Sequence, residues 1–239
     1  MFPNANPCRA ERIRDLQARL KTVAAGTERV RLLSEIAVDL ASTDARKALE
    51  FAEDALRSAR ALGDTDGEAH SHRSVASAQY WCGEYDLALD HAEQALAQFT
   101  TAGEACGAAR TYLTLSAIHQ RRCRFADALA ATLTALELSE GANDVSGIAR
   151  AHHALGMLYG ENKQLDKALE HRLEAARIRE EIGERYELSS DLINIGNIHL
   201  RRGDLDLALT YYERSVEILR HEQPAGSGIA TAYRNMGDV

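Results

Sequence analysis

The chain has 239 residues, 45% of them hydrophobic and 27% charged, and carries a net charge of −8. Its only prolines are Pro3, Pro7 and Pro224, so 216 consecutive residues contain none, and Ala and Leu together fill 70 positions. Such a composition favours helix, because Ala and Leu lose little side-chain entropy there and nothing interrupts the backbone ladder. It excludes an all-β domain and a disordered chain, and the net acidity argues against direct binding to nucleic acid.

The N-terminus, MFPNANPCRAER, has no apolar stretch of a signal peptide, and no run of the sequence is long and apolar enough to span a membrane. The four cysteines, Cys8, Cys82, Cys106 and Cys123, form neither a C-x-x-C pair nor a zinc pattern with histidine. Reduced thiols in a cytoplasmic protein are expected, with no metal and no cofactor.

In chain order, the first expected helix is RAERIRDLQARLKTVAA (9–25), whose stripe of Ile13, Leu16, Leu20 and Val23 suits packing on the first helix pair. Five helix pairs come next, at 27–41/45–62, 68–81/86–102, 108–121/126–140, 148–161/166–182 and 188–201/206–221. The domain reading is an N-terminal segment with a capping helix (1–26), five helix pairs (27–226) and the first helix of a truncated sixth repeat (227–239). That last helix, IATAYRNMGDV, keeps a full packing pattern, so the natural protein is expected to continue beyond it.

The pairs follow from a period of 40. Ala-Leu recurs at 48–49, 88–89, 128–129, 168–169 and 208–209, and G-x-A opens at Gly67, Gly107 and Gly147. A small residue recurs as Ala76, Ser116, Gly156 and Gly196. Two helices approach closely only where side chains at the crossing are small, so Ala88, Ala128, Ala168 and Ala208 are expected to face that column. Gly83 and Gly203 suit a left-handed turn between paired helices, and Asp86, Asp166 and Asp206 are expected to cap the second helix.

This spacing resembles the tetratricopeptide repeat, in a 40-residue variety with long helices. Leu155-Gly156, Tyr159, Leu165, Ala168 and Ala175 match it best. The resemblance implies an all-α, right-handed α-α solenoid whose first helices line a concave groove that binds a protein or peptide. It places Arg73, Tyr80, Trp81, Arg110, Gln120, Arg121, Arg150, His153, Asn197, Arg201 and Arg234 in that groove. Asn194, Asn197 and Asn235 resemble the asparagines with which long repeats hold a peptide backbone; helix-to-helix bonding is the plainer use. Six arginines (73, 110, 121, 150, 201 and 234) against Glu161 and Asp238 make the groove locally basic in an acidic chain, which suits an acidic or C-terminal carboxylate partner.

His72, His119, His152 and His199 occupy aromatic slots and are expected to pack; His152 and His153 point too far apart on one helix to share a metal. No G-x-S-x-G, G-x-x-x-x-G-K-[ST] or H-E-x-x-H motif occurs, so no enzyme is expected. The spacer style resembles bacterial signalling proteins, in which such arrays serve as regulatory input. The alternatives are a self-association module forming a homodimer, and a receptor for a small signalling peptide.

Overall fold

The structure, a computed structural model, describes residues 7–222 and 227–237. These form α-helices and the turns between them. α1 (Pro7–Thr22) precedes the pairs α2 (Thr27–Leu40) and α3 (Ala45–Leu62), α4 (Thr65–Cys82) and α5 (Tyr85–Ala102), and α6 (Ala105–Arg121) and α7 (Phe125–Gly141). Then come α8 (Val145–Glu161) and α9 (Leu165–Ile182), α10 (Arg185–Arg202) and α11 (Leu205–Glu222), and α12 (Ser227–Gly237). The chain divides into two compact units, the first reaching Ala142 and the second starting at Asn143.

In the first unit Leu16 of α1 is buried among Leu32, Ile36 and Leu40 of α2, with Ile13, Leu20 and Val23 packed alongside. α1 ends at Thr22, three residues before the expected 25. Ala76 and Ala92 meet across the second pair, together with Leu115 and Ala131. In the second unit Leu188, Leu192 and Ile195 of α10 pack with Ala176 and Ile218. Each of these leucine and isoleucine side chains, taken fully from water, contributes about 1.5–3 kcal/mol.

The first helices of the later pairs start three residues earlier than the G-x-A openings suggest. Asp64, Glu104 and Asp144 are the N-caps, and their carboxylates accept from the backbone N–H groups of Gly67, Gly107 and Gly147 at 2.9, 3.0 and 2.9 Å. The glycines are therefore the third residue of each helix. At Gly107 an added Cβ would stand 2.5 Å from the Phe99 ring, so the preceding helix packs where a side chain would be. In the fourth copy Glu187 replaces the glycine, and Glu184 makes no side-chain cap bond.

Two further expectations are corrected. Asp86 and Asp166 do not cap: the N-caps are Glu84 and Gln164, neither with a side-chain bond, and the aspartates sit one residue inside the first turn. There they face the positive end of the helix and accept from Arg122 and Arg202 respectively, tying each pair to the next first helix. Asp206 likewise lies in the first turn of α11. The small column does not face Ala168. Gly156 faces Arg172, whose Cγ and Cδ lie 2.8 and 2.9 Å from an added Cβ, and Gly196 faces the Tyr212 ring at 2.5 Å. Ala168 lies one turn away, 3.8 Å from a Cβ on Gly160. Where the first helix holds Ser116 its opposite number is Thr132, hydroxyl to hydroxyl at 2.6 Å. The column at 92, 132, 172 and 212 thus holds the side chains that the small column accommodates.

The turns within pairs place one residue in the left-handed region. Gly83 and Gly203 do so at φ 84, and Cys123 and Lys163 occupy the same column at φ 58 and 59.

Candidate functional site

In the first unit the predicted residues come from α4 and α6. Tyr80 is half-buried and is the centre of an aromatic group, edge-on to Trp81 at 5.3 Å and tilted against Tyr85 at 6.0 Å. Arg121, at the end of α6, donates from Nε to the Tyr80 hydroxyl at 3.2 Å, and its guanidinium carbon lies 5.9 Å from the ring centroid. That contact combines a hydrogen bond with a cation–π attraction worth about 0.5–1 kcal/mol at an exposed site. Trp81 keeps 36% of its surface in solvent. Arg73 and Gln120 are half-buried and Arg110 is exposed. Acidic groups stand on the same side: His70 Nε2 is 3.9 Å from Asp66 and 4.0 Å from Glu104. Burial, with Arg73 nearby, pushes His70 below its ordinary pKa.

In the second unit the predicted residues join different partners. Arg150 lies 3.6 Å from the capping carboxylate of Asp144. Arg201 donates to the Gly160 carbonyl at 3.4 Å, repeating in this unit the 41-residue reach of Arg121 to Tyr80. Asn194 donates to Ser190 in its own helix at 2.9 Å. Asn197 accepts from the Tyr212 hydroxyl and from Asn235, both at 2.8 Å, so these two amides bridge α10, α11 and α12. Arg234 is exposed on α12, and Asp238 lies outside the described residues.

His153 belongs to a buried charge cluster. Its Nδ1 is 2.7 Å from Asp191 Oδ1 and 2.6 Å from Arg172 Nη1. Arg172 donates to Asp191 at 3.0 Å, and Arg179 donates to the other carboxylate oxygen and, at 3.3 Å, to the Glu187 carbonyl. Asp191, Arg172 and Arg179 are buried, at 0, 4 and 4% exposure. Burial, then the charge of Arg172, lowers the His153 pKa to about 4, so the ring is neutral near pH 7. Burial pushes the Asp191 carboxyl up, but the His153 bond and the two arginines outweigh it and hold the group below the usual carboxylate value. Gly156 is what leaves room for the Arg172 stem.

Arg172, Arg179 and Asp191 escaped the sequence reading. The one available signal was column position: Arg172 shares its column with Ala92 and Thr132, and Asp191 shares its with Ser71 and Thr111. Among the described residues no three His, Cys, Asp or Glu side chains converge as metal ligands, and no helix is long and apolar enough to cross a membrane. Cys82, Cys106 and Cys123 are free thiols.

Paired helices with a 40-residue column structure define an all-α repeat solenoid. The family model of the tetratricopeptide repeat matches residues 147–221, so this stretch carries the tetratricopeptide repeat. No curated protein matches it in sequence. Among solved structures, BtubC from P. vanneervenii is similar at 22% identity and TM-score 0.67, over 89% of this chain and 88% of that one. A Rap protein complexed with competence and sporulation factor is similar at 15% identity and TM-score 0.74, over 96% of this chain and 69% of that one. A STAND protein with a tetratricopeptide repeat sensor from Pyrococcus horikoshii is similar at 13% identity and TM-score 0.68; the match covers 96% of this chain but 36% of that protein. At these identities the likeness is one of fold.

Proposed function

We propose that the chain is a non-catalytic binding module that presents the first helices of its repeats to a protein or peptide bearing acidic side chains or a free C-terminal carboxylate. The observation that carries this reading is the group at the end of α4: an exposed Trp81 beside Tyr80, with Arg121 laid on the tyrosine. Rigid aromatic surface next to a guanidinium is what hot spots use, since Trp and Tyr bury much area at small entropy cost and Arg grips a carboxylate in two places. Arg73 and Arg110 on α4 and α6 extend the cationic character; Asp66 and Glu104 temper it. In the second unit, Arg150 and Arg201 play the same part, whereas Asn197 and Asn235 bond between helices and Asn194 bonds back onto its own helix.

Trp81 is the single tryptophan, so its emission reports binding at this face directly. Titration with a short peptide rich in Asp and Glu and ending in a free carboxylate should shift that emission. Arg110→Glu and Arg121→Glu should each weaken binding about tenfold, the factor of one lost charge-assisted contact. Unchanged affinity in both variants would sink the basic face.

The wider setting is a regulatory input region of a larger bacterial signalling protein, working in the cytoplasm. The likeness to a STAND protein with a repeat sensor supports it. A second reading, a receptor for a small signalling peptide, draws on the Rap protein, which was solved with competence and sporulation factor.

A further inference from the structure

In the first unit a cavity of about 200 Å³ opens between α3, α4 and α5, lined by Glu53, Leu56, Arg57, Arg60, Val75 and His91. Leu56 and Val75 are buried and form an apolar floor. The polar wall is built from a hydrogen-bond relay whose direction can be assigned. A guanidinium only donates, so Arg60 Nη2, 3.2 Å from His72 Nε2, makes that nitrogen an acceptor. His72 then carries its proton on Nδ1 and donates it to His91 Nδ1 at 2.8 Å. His91, accepting on Nδ1, carries its own proton on Nε2. Glu68, 3.5 Å from His72 Nε2, is taken by Arg60 Nε at 2.9 Å. Burial, with Arg60 nearby, lowers the pKa of both rings and keeps them neutral donors and acceptors.

The repeat architecture does not require this wall. A second histidine pair, His152 and His171, meets Nδ1 to Nδ1 at 3.0 Å eighty residues on. There the positions matching Glu53, Arg57 and Arg60 are Leu133, Glu137 and Glu140. None of the other second helices has arginine at both places. The combination of two arginines with the glutamate is therefore particular to the cavity.

We propose that this cavity binds a small aliphatic α-amino acid. Arg57, Arg60 and the Nε2–H of His91 are donors for its carboxylate, Glu53 accepts from its ammonium group, and its side chain covers Leu56 and Val75. A plain carboxylate would meet Glu53 as a like charge, and a plain amine would meet two guanidiniums; a zwitterion satisfies both. Asp54 at 3.5 Å from Arg57 and Glu68 on Arg60 engage part of each guanidinium and leave further N–H groups of the five. The size agrees, since an amino acid is smaller than the drug-sized ligands that take about 300–1,000 Å³.

The test uses the whole chain, labelled with ¹⁵N at histidine and titrated with L-leucine, 4-methylpentanoate and 3-methylbutylamine. L-Leucine should bind with a Kd of ~1 mM or tighter and shift the His91 Nε2–H resonance. The acid and the amine should each bind about tenfold more weakly, each lacking one charged contact. Glu53→Gln and Arg57→Gln alter exposed side chains and should leave the fold intact, checked by helical circular dichroism. Glu53→Gln should weaken L-leucine about tenfold and leave 4-methylpentanoate unweakened, while Arg57→Gln should weaken both. The proposal is overturned if L-leucine leaves His91 unmoved at ~10 mM, if the three ligands bind alike, or if neither variant changes the affinity. Because the cavity does not include the first-helix residues assigned to peptide binding, either proposal can fail without the other.

Discussion

The second and fourth helix pairs follow one template and fill it in opposite ways. In the second, Ala76 lies against Ala92 in an apolar seam. In the fourth the same two positions are Gly156 and Arg172, and the arginine continues into a buried cluster with Asp191, Arg179 and His153. Histidine pairs recur in both, and the pair in the second accepts from an arginine, Arg60. A repeat column thus specifies a volume and a direction rather than a chemistry. One pair uses the volume for close helix contact; the other vacates one side and fills it with charge from the opposite helix.

The largest effect expected from this contrast is at Asp191. Removing the carboxylate leaves the buried Arg172 guanidinium without a counter-charge and Arg179 with Glu184 alone, at 3.7 Å; breaking such a group typically costs about 3–5 kcal/mol. Asp191→Ala should therefore lower the denaturant midpoint of the second unit far more than any single alanine substitution among exposed residues. Replacing the three charges together, as Arg172→Met with Arg179→Leu and Asp191→Val, should recover most of the loss, because an apolar set carries no desolvation penalty. If the single variant is neutral, the cluster is not the buried network described.

Next in size are the glycines that make room. Gly196→Ala drives a methyl to 2.5 Å from the buried Tyr212 ring, and Gly156→Ala to 2.8 Å from the Arg172 stem. Overpacking of that kind costs about 1–3 kcal/mol, despite the better helix propensity of alanine. The opposite change in the second pair, Ala76→Gly, should cost about 1 kcal/mol of propensity plus a lost methyl contact. Thermal unfolding of the three variants compares the two fillings directly; a stabilising Gly196→Ala would mean that the tyrosine moves aside freely.

These contrasts also show what a single sequence reveals. The period of 40 made the helix pairs legible, because Ala-Leu and the small column repeat in register with the contacts that need them. Helix starts were read three residues late, since Gly67, Gly107 and Gly147 look like openings while the carboxylates three residues earlier do the capping. The facing column was misread by one turn for a related reason: small size announces a close approach and does not say what approaches. Arg172 and Asp191 stayed hidden because a charge in a buried column contradicts the pattern that identifies the column. Arg57 and Arg60 look like ordinary solvated residues on a second helix; only the position of His91 shows a wall.

The clusters differ in their response to acid as well. An unfolded histidine titrates near 6.5, while His153 in the folded chain titrates at about 4. Between those values the unfolded chain binds more protons, so the stability that the neutral ring contributes is complete above pH 6.5 and is lost as the pH falls towards about 4. With the His153 side chain 30% exposed, the expected loss is about 1–2 kcal/mol, below the full linkage value. His153→Asn should flatten that part of the pH–stability curve of the second unit. His72 and His91 are also depressed, so the first unit should weaken in the same direction, and its slope should be untouched by the His153 substitution. Equal slopes in the second unit of the wild type and of His153→Asn would remove the histidine from the account.

The smallest expected effect lies in the turns of the same two pairs. After α4 the chain turns through Gly83, with Gly83 N–H donating to the Tyr80 carbonyl at 3.1 Å and Glu84 N–H to Gln79 at 2.9 Å. After α8 the same two bonds recur, Lys163 to Gly160 at 3.2 Å and Gln164 to Tyr159 at 2.9 Å. The bonds match, and the backbone is left-handed in both, so the difference is the side chain alone. A non-glycine residue there costs roughly 1–2 kcal/mol, and glycine costs about 0.4–1 kcal/mol through the freedom of the unfolded chain. Lys163→Gly should therefore stabilise the second unit by up to ~1 kcal/mol, and Gly83→Ala should destabilise the first by a similar amount. The Lys163 side chain is exposed, so its removal uncovers no packed surface that would offset the gain. If Lys163→Gly lowers the midpoint, then something beyond backbone conformation keeps lysine in that turn, and the column equivalence of the two pairs fails at its simplest point.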